Sequence, residues 1–208
     1  MSHERSMWDL WIERAKPVMP VIVIDDPDHA VPLAQALVEG GVRLLEITLR
    51  TAAGMQAISQ IKRAVPEAIV GVGTVTSARQ LEDALHRGAE FAVSPGSSPE
   101  LLACAQEWGG PYLPGVATPT EVMQAREAGF RYQKFFPASA AGGTAMLKAL
   151  AGPFADVAFC PTGGIGADNY RDYLALNNVF AVGGSWLTPK TAVSAQNWQA
   201  LTSLAIAS

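Results

Sequence analysis

The chain has 208 residues, 49% of them hydrophobic and 16% charged, with a net charge of −4. That apolar fraction excludes a mainly disordered chain, and the length supplies the core of one ordinary domain or two small ones. The longest apolar run, residues 18–24, is about a third of what a bilayer span needs, and the weakly acidic balance gives no basic footprint for nucleic acid.

The chain opens on a helical pattern within residues 1–16. Trp8, Trp11, Ile12 and Ala15 share one helical face, and Ser6 with Asp9 has capping-box spacing. Glu4, Asp9 and Glu13 interrupt its apolar residues, so it does not read as a secretory signal, and a reducing, cytoplasmic setting is expected. Beyond Pro17 one rhythm repeats: a short β-branched run ends in Gly, Thr, Ser or Asp, and an Ala-, Leu-, Glu- and Gln-rich helical stretch follows. Strands are predicted at residues 18–24, 44–49, 69–74, 91–94, 112–116, 132–136, 157–161 and 179–182. Helices are predicted at 28–40, 52–64, 77–87, 99–108, 118–128, 143–150, 167–176 and 191–205. Ser77 with Gln80 forms a second capping-box pattern, Pro99 and Pro119 stand at first helical positions after Ser98 and Thr118, and Gly88 and Gly129 occupy helix-stop positions.

Strands alternating with helices of this length imply a parallel sheet. Eight units could form an open doubly wound sheet or a closed barrel. The even spacing of about 24 residues per unit, without a second domain or a long central crossover, favours the barrel. The expected fold is therefore α/β: a single (β/α)8 TIM barrel over residues 1–208, with the helix in 1–16 closing its bottom.

In such a barrel, chemistry sits at the C-terminal strand ends. Lys134, near the end of the sixth predicted strand, is the only one of five lysines so placed, and residues 135–139 carry no charge. An ammonium removed from water is disfavoured, so this side chain can serve as a free-amine nucleophile toward a ketone; it fits equally a lysine paired with a carboxylate or a phosphate. Glu46 is a charge inside the hydrophobic second strand. Strands two and six oppose each other across an eight-stranded barrel, so Glu46 and Lys134 can meet, either as a proton shuttle beside an imine or as a plain buried salt bridge.

Arg50 shares the Glu46 face by period-2 alternation, and Thr74 ends the third strand. Together they suggest an anchor for a 2-oxo acid carboxylate. Separately, Arg50 fits a surface arginine and Thr74 a helix cap. Glycine pairs follow the last two strands, at Gly163–Gly164 and Gly183–Gly184, where barrels often bind phosphate through backbone N–H groups. Gly71 and Gly73 are less specific, since small residues are common where barrel strands meet a ligand. Cys104 and Cys160 form no CxxC pair, and His3, His29 and His86 form no metal-ligand pattern, so neither a disulfide framework nor a metal site is expected.

Seven stretches in order closely resemble the 2-keto-3-deoxy-6-phosphogluconate (KDPG) aldolase family, whose members often also cleave 4-hydroxy-2-oxoglutarate (KHG). They are residues 45–51 (LEITLRT), 71–75 (GVGTV), 94–96 (SPG), 113–121 (LPGVATPTE), 134–138 (KFFPA), 160–165 (CPTGGI) and 183–186 (GGSW). The resemblance implies a class I, metal-independent aldolase without cofactor, usually a homotrimer, acting in the Entner–Doudoroff route. It casts Lys134 as the Schiff-base lysine and Glu46 as the general acid/base. Arg50 and Thr74 would hold the carboxylate, and Pro95 and Phe136 would pack on the keto acid. Thr162, Gly163, Gly164, Gly184 and Ser185 would serve the phosphate end or line the site. The implied partners are a 2-oxo acid and a phosphorylated aldehyde. Two other classes stay open on residues alone: a phosphate-binding barrel isomerase or epimerase, and a catalytically silent metabolite-binding barrel.

Overall fold

The computed structural model describes residues 6–208; His3, Glu4 and the rest of residues 1–5 lie outside the described part. The strands are β1 (Val18–Ile22), β2 (Leu44–Thr48), β3 (Ile69–Gly73), β4 (Phe91–Val93), β5 (Tyr112–Leu113), β6 (Gly115–Val116), β7 (Tyr132–Phe135), β8 (Ala158–Pro161) and β9 (Val182–Gly184). The helices are α1 (Met7–Ile12), α2 (Ala30–Glu39), α3 (Gly54–Ala64), α4 (Ala78–His86), α5 (Pro99–Trp108), α6 (Pro119–Glu127), α7 (Gly143–Ala151), α8 (Tyr170–Leu174), α9 (Lys190–Ser194) and α10 (Trp198–Ala207). The class is α/β, and every named strand pair is parallel. Among the described residues no helix is long and apolar enough to cross a membrane.

The curled sheet runs in the order β5-β4-β3-β2-β1-β9, and a second sheet runs β6-β7-β8. β5 and β6 are the two halves of the predicted fifth strand, divided at Pro114. Proline has no N–H for a ladder, but its carbonyl still accepts from the Lys134 amide at 2.9 Å. Isolated bridges Phe159↔Val179 and Thr162↔Gly183 connect β8 to the β9 segment.

Alternation sorts the strand residues into two layers. Leu45, Ile47, Val72 and Ala92 face the helices. Met19, Leu44, Phe91, Val93, Leu113 and Cys160 form a separate inner cluster with Trp8. Each fully buried aliphatic or aromatic side chain contributes roughly 1.5–3 kcal/mol, so strands of this length are held mainly by side chains on both faces.

Several boundaries differ from the sequence expectation. The N-terminal helix stops at Ile12, although Trp11, Ile12 and Ala15 all pack on the inner cluster. Its Ser6–Asp9 capping box is present, and Tyr132 donates to Asp9 Oδ1 at 2.5 Å. At α4, Ser77 caps the Gln80 amide, but Gln80 Oε1 accepts from the Thr76 amide, so the reciprocal half of that box shifts by one residue. Pro99 and Pro119 open their helices behind Ser98 and Thr118 as expected. The last strand lies at Val182–Gly184 rather than 179–182, because pairing with β1 begins at Val182. Residues 166–169 form a turn that shortens the helix predicted at 167–176, and positive φ at Gln196 splits the helix predicted at 191–205 into α9 and α10.

Candidate active site

Glu46 stands in the middle of β2, in register with Val21 and Gly71, and Lys134 stands on β7, in register with Gly115 and Cys160. Both point to the inner layer. Lys134 Nζ lies 3.5 Å from Glu46 Oε1, and the side chains are only 4% and 1% exposed. The distance is long for a charge-assisted hydrogen bond, so the pair is adjacent without a tight lock. Phe136 flanks it, with Lys134 Nζ 5.1 Å from the ring centroid.

The inner glycines make room for these groups rather than leaving open space. A Cβ at Gly73 would lie 2.8 Å from the Glu46 carboxyl carbon, and one at Gly71 would overlap the Phe91 ring. Thr48, above Glu46, is fully buried and donates to the Ile22 carbonyl at 2.8 Å, tying the ends of β1 and β2 together.

Around this centre the other predicted residues fall at the strand ends. Arg50 departs from the alternation argument: β2 ends at Thr48, and Arg50 is exposed in the turn beyond it, with no carboxylate partner among the described residues. Thr74, half-buried after β3, has φ +61, a conformation rare for a β-branched residue and a sign of local strain. Pro95 is half-buried with its carbonyl against Gly115. Thr162 is 5% exposed, and its hydroxyl occupies the place a Cβ on Gly183 would need. Gly163 and Gly164 follow with φ +101 and +72, so both need glycine. Gly184 is buried against Trp186, while Ser185 is exposed.

Cys160 is the neighbour that sequence reasoning set aside. It is register partner to Lys134 and 2% exposed. Burial, with the Glu46 charge adding to it, pushes its thiol from the ordinary 9.0 up to about 12; Lys134 and Thr162 oppose the shift. The group is therefore a neutral thiol beside the amine and the carboxylate. Period-2 alternation in 158–161 was the available signal, but a lone cysteine without metal-ligand spacing gave no reason to use it.

The comparisons with known proteins agree with one another. A family model described as KDPG and KHG aldolase matches residues 11–204. The 2-dehydro-3-deoxy-phosphogluconate aldolase of Dickeya dadantii is 53% identical over 191 residues, covering 92% of this chain and 90% of that protein. The KHG/KDPG aldolase of Escherichia coli K12 is 52% identical over 189 residues, covering 91% of this chain and 89% of that protein. A crystal structure of the Legionella pneumophila KDPG aldolase, with pyruvate captured at low pH as a covalent carbinolamine intermediate, superposes with a TM-score of 0.92 at 46% identity, covering 96% of each chain. The chain belongs to the KDPG and KHG aldolase family.

Proposed function

We propose that this chain is a class I aldolase that cleaves KDPG to pyruvate and glyceraldehyde 3-phosphate, and KHG to pyruvate and glyoxylate. The observation that carries the reading is the buried Lys134 amine 3.5 Å from the Glu46 carboxyl, in a chain of this family. Lys134 attacks C2 of the 2-oxo acid. Glu46 moves the protons that turn the carbinolamine into an iminium with loss of water. Abstraction of the C4 hydroxyl proton sends its electrons into the new aldehyde carbonyl. The C3–C4 bond breaks, and its pair flows into the iminium, leaving an enamine. Glu46 returns a proton to C3, and water hydrolyses the imine to pyruvate and the free amine. The iminium is the electron sink, so no step needs a metal or cofactor.

The remaining residues take positions that suit the two ends of this substrate. Arg50, exposed in its turn, and Thr74 hold the carboxylate. Pro95 and Phe136 pack on the keto acid. Thr162, Gly163, Gly164, Gly184 and Ser185 line the phosphate end. The two sheets are read as one closed (β/α)8 barrel, with β5 and β6 as a single strand and the bridges to Val179 and Gly183 as the seam. α1 closes its bottom, with Trp8 packed edge-to-face against Phe91. The assembly is read as a homotrimer, the setting as cytoplasmic and the route as the Entner–Doudoroff route.

Incubation with pyruvate, reduction with borohydride and peptide mass spectrometry tests the reading. The expected result is one covalent adduct, at Lys134. No adduct there, or a Lys134→Arg variant with full aldolase activity, would overturn it and favour a barrel that only binds metabolites.

A further inference from the structure

Besides the bridge from Thr162 to Gly183, the carbonyls of the loop after β8 are held by the segment after β7 and by Asn169. The carbonyls of Thr162 and Gly163 accept from the amides of Ala138 and Ser139 at 2.8 and 3.0 Å. The Gly164 carbonyl accepts twice, from Ser139 Oγ at 2.9 Å and from Asn169 Nδ2 at 3.1 Å. Asn169 in turn accepts the Gly166 amide at 2.9 Å, and Tyr173 reaches Ser139 Oγ at 3.4 Å. A trans peptide sets its carbonyl and its N–H in opposite directions. Fixing these carbonyls toward Ser139 and Asn169 therefore turns the N–H groups of Gly163, Gly164 and Ile165 the other way. Among the described residues the amides of Gly164 and Ile165 donate to nothing. Successive amides aimed to one side by left-handed residues make a concave anion site.

From this geometry we infer that Ser139 and Asn169 are positioning residues for substrate choice. By clamping the Gly164 carbonyl, they hold the amides that receive the phosphate of KDPG, and so set the preference for a phosphorylated over an unphosphorylated substrate. The inference rests on the aldolase reading and deepens it. Neither residue touches the Lys134–Glu46 pair. Without the clamp the peptide after Gly164 is free to rotate, because glycine imposes no barrier, and only the phosphate end loses its preorganised donors.

The test compares Ser139→Ala, Asn169→Ala and the double variant on KDPG and KHG, with Ser139→Thr as the conservative control that keeps a hydroxyl. The expected result is a KM for KDPG raised roughly three- to tenfold in each single variant and further in the double, the size expected for a lost hydrogen bond. The kcat on KDPG and the kinetics on KHG stay within about twofold, and Ser139→Thr restores the KM. A merely structural role would move both substrates together, and that outcome, or no change in the double variant, overturns the inference. Ser139 is exposed, so its variants carry the test even if Asn169→Ala fails to fold. Pyruvate trapping in the wild-type protein separates the two readings. A missing adduct sinks the aldolase proposal, whereas an intact adduct with unaltered substrate preference sinks the clamp alone.

Discussion

The carboxyl group of Glu46 rests on Gly73, one strand over: a Cβ at position 73 would stand 2.8 Å from its carboxyl carbon and 2.5 Å from its Cγ. β3 therefore shapes the position of a group on β2. Gly73→Ala is expected to displace Glu46 relative to Lys134 while leaving both in place chemically. A displacement of about 1 Å costs roughly 10²-fold in rate, and the overlap costs about 1–3 kcal/mol of stability. Steady-state kinetics with a urea titration checks both. A folded variant with wild-type kcat would show that the Glu46 position is not set by this contact.

The same pair makes a prediction about stability. Removing Lys134 leaves the Glu46 carboxyl buried without its cation, since both side chains are nearly inaccessible. Breaking a buried pair from one side typically costs about 3–5 kcal/mol, whereas replacing both partners is far milder. Lys134→Met is expected to lower unfolding free energy by that order. Adding Glu46→Gln recovers much of the loss, although both variants are inactive. Urea unfolding of the wild type, the two single variants and the double variant gives the coupling. A double variant less stable than Lys134→Met would contradict this account.

How much of this was legible in the sequence follows from which forces act locally. Lys134 and Glu46 were readable because each breaks the hydrophobic pattern of a strand, and alternation inside a strand survives into the fold. The setting of Arg50 is not legible in the same way, because β2 ends at Thr48 and period-2 alternation does not carry into the turn that holds it. The split of the fifth strand was signalled by Pro114 itself, yet its cause is the missing ladder donor rather than a change of direction. Cys160 depends on a partner across the sheet, Lys134, and such pairing has no footprint in a local window. The Asn169 turn closes locally on Gly166 and Gly164, and what a local window does not show is that the same carbonyl of Gly164 is also held by Ser139.

At the other end of β7, Tyr132 donates to Asp9 Oδ1 at 2.5 Å and joins this strand to α1. Hydrogen bonds to charged groups contribute about 1.5–3 kcal/mol when partly buried. Tyr132→Phe keeps the ring contact with Phe180 and removes the hydroxyl's contacts with Asp9 and Ser6. The expected outcome is a stability loss toward the lower end of that range with kcat unchanged, because the hydroxyl faces away from the Lys134 amine. Thermal unfolding and steady-state kinetics measure the two effects, and unchanged stability would show that α1 docks through its tryptophans alone.

Alkaline stability should depend on Cys160. In the unfolded chain its thiol ionises at its ordinary 9.0, while burial holds it protonated up to about 12 in the folded state. Above the unfolded value the unfolded chain binds fewer protons than the folded one, so stability falls as pH rises through that window, by at most about 1.4 kcal/mol per pH unit from this group. Tyr112 and Tyr132, both raised chiefly by burial, add to the loss in the same direction at higher pH. Cys160→Ala leaves the tyrosine contribution and removes the thiol's. The variant is expected to be somewhat less stable at neutral pH, from the small cavity, but to lose stability less steeply above pH 9. Urea unfolding from pH 7 to 10 in the two proteins gives the slopes. Parallel slopes would mean that the thiol of Cys160 ionises as readily in the folded state as in the unfolded one.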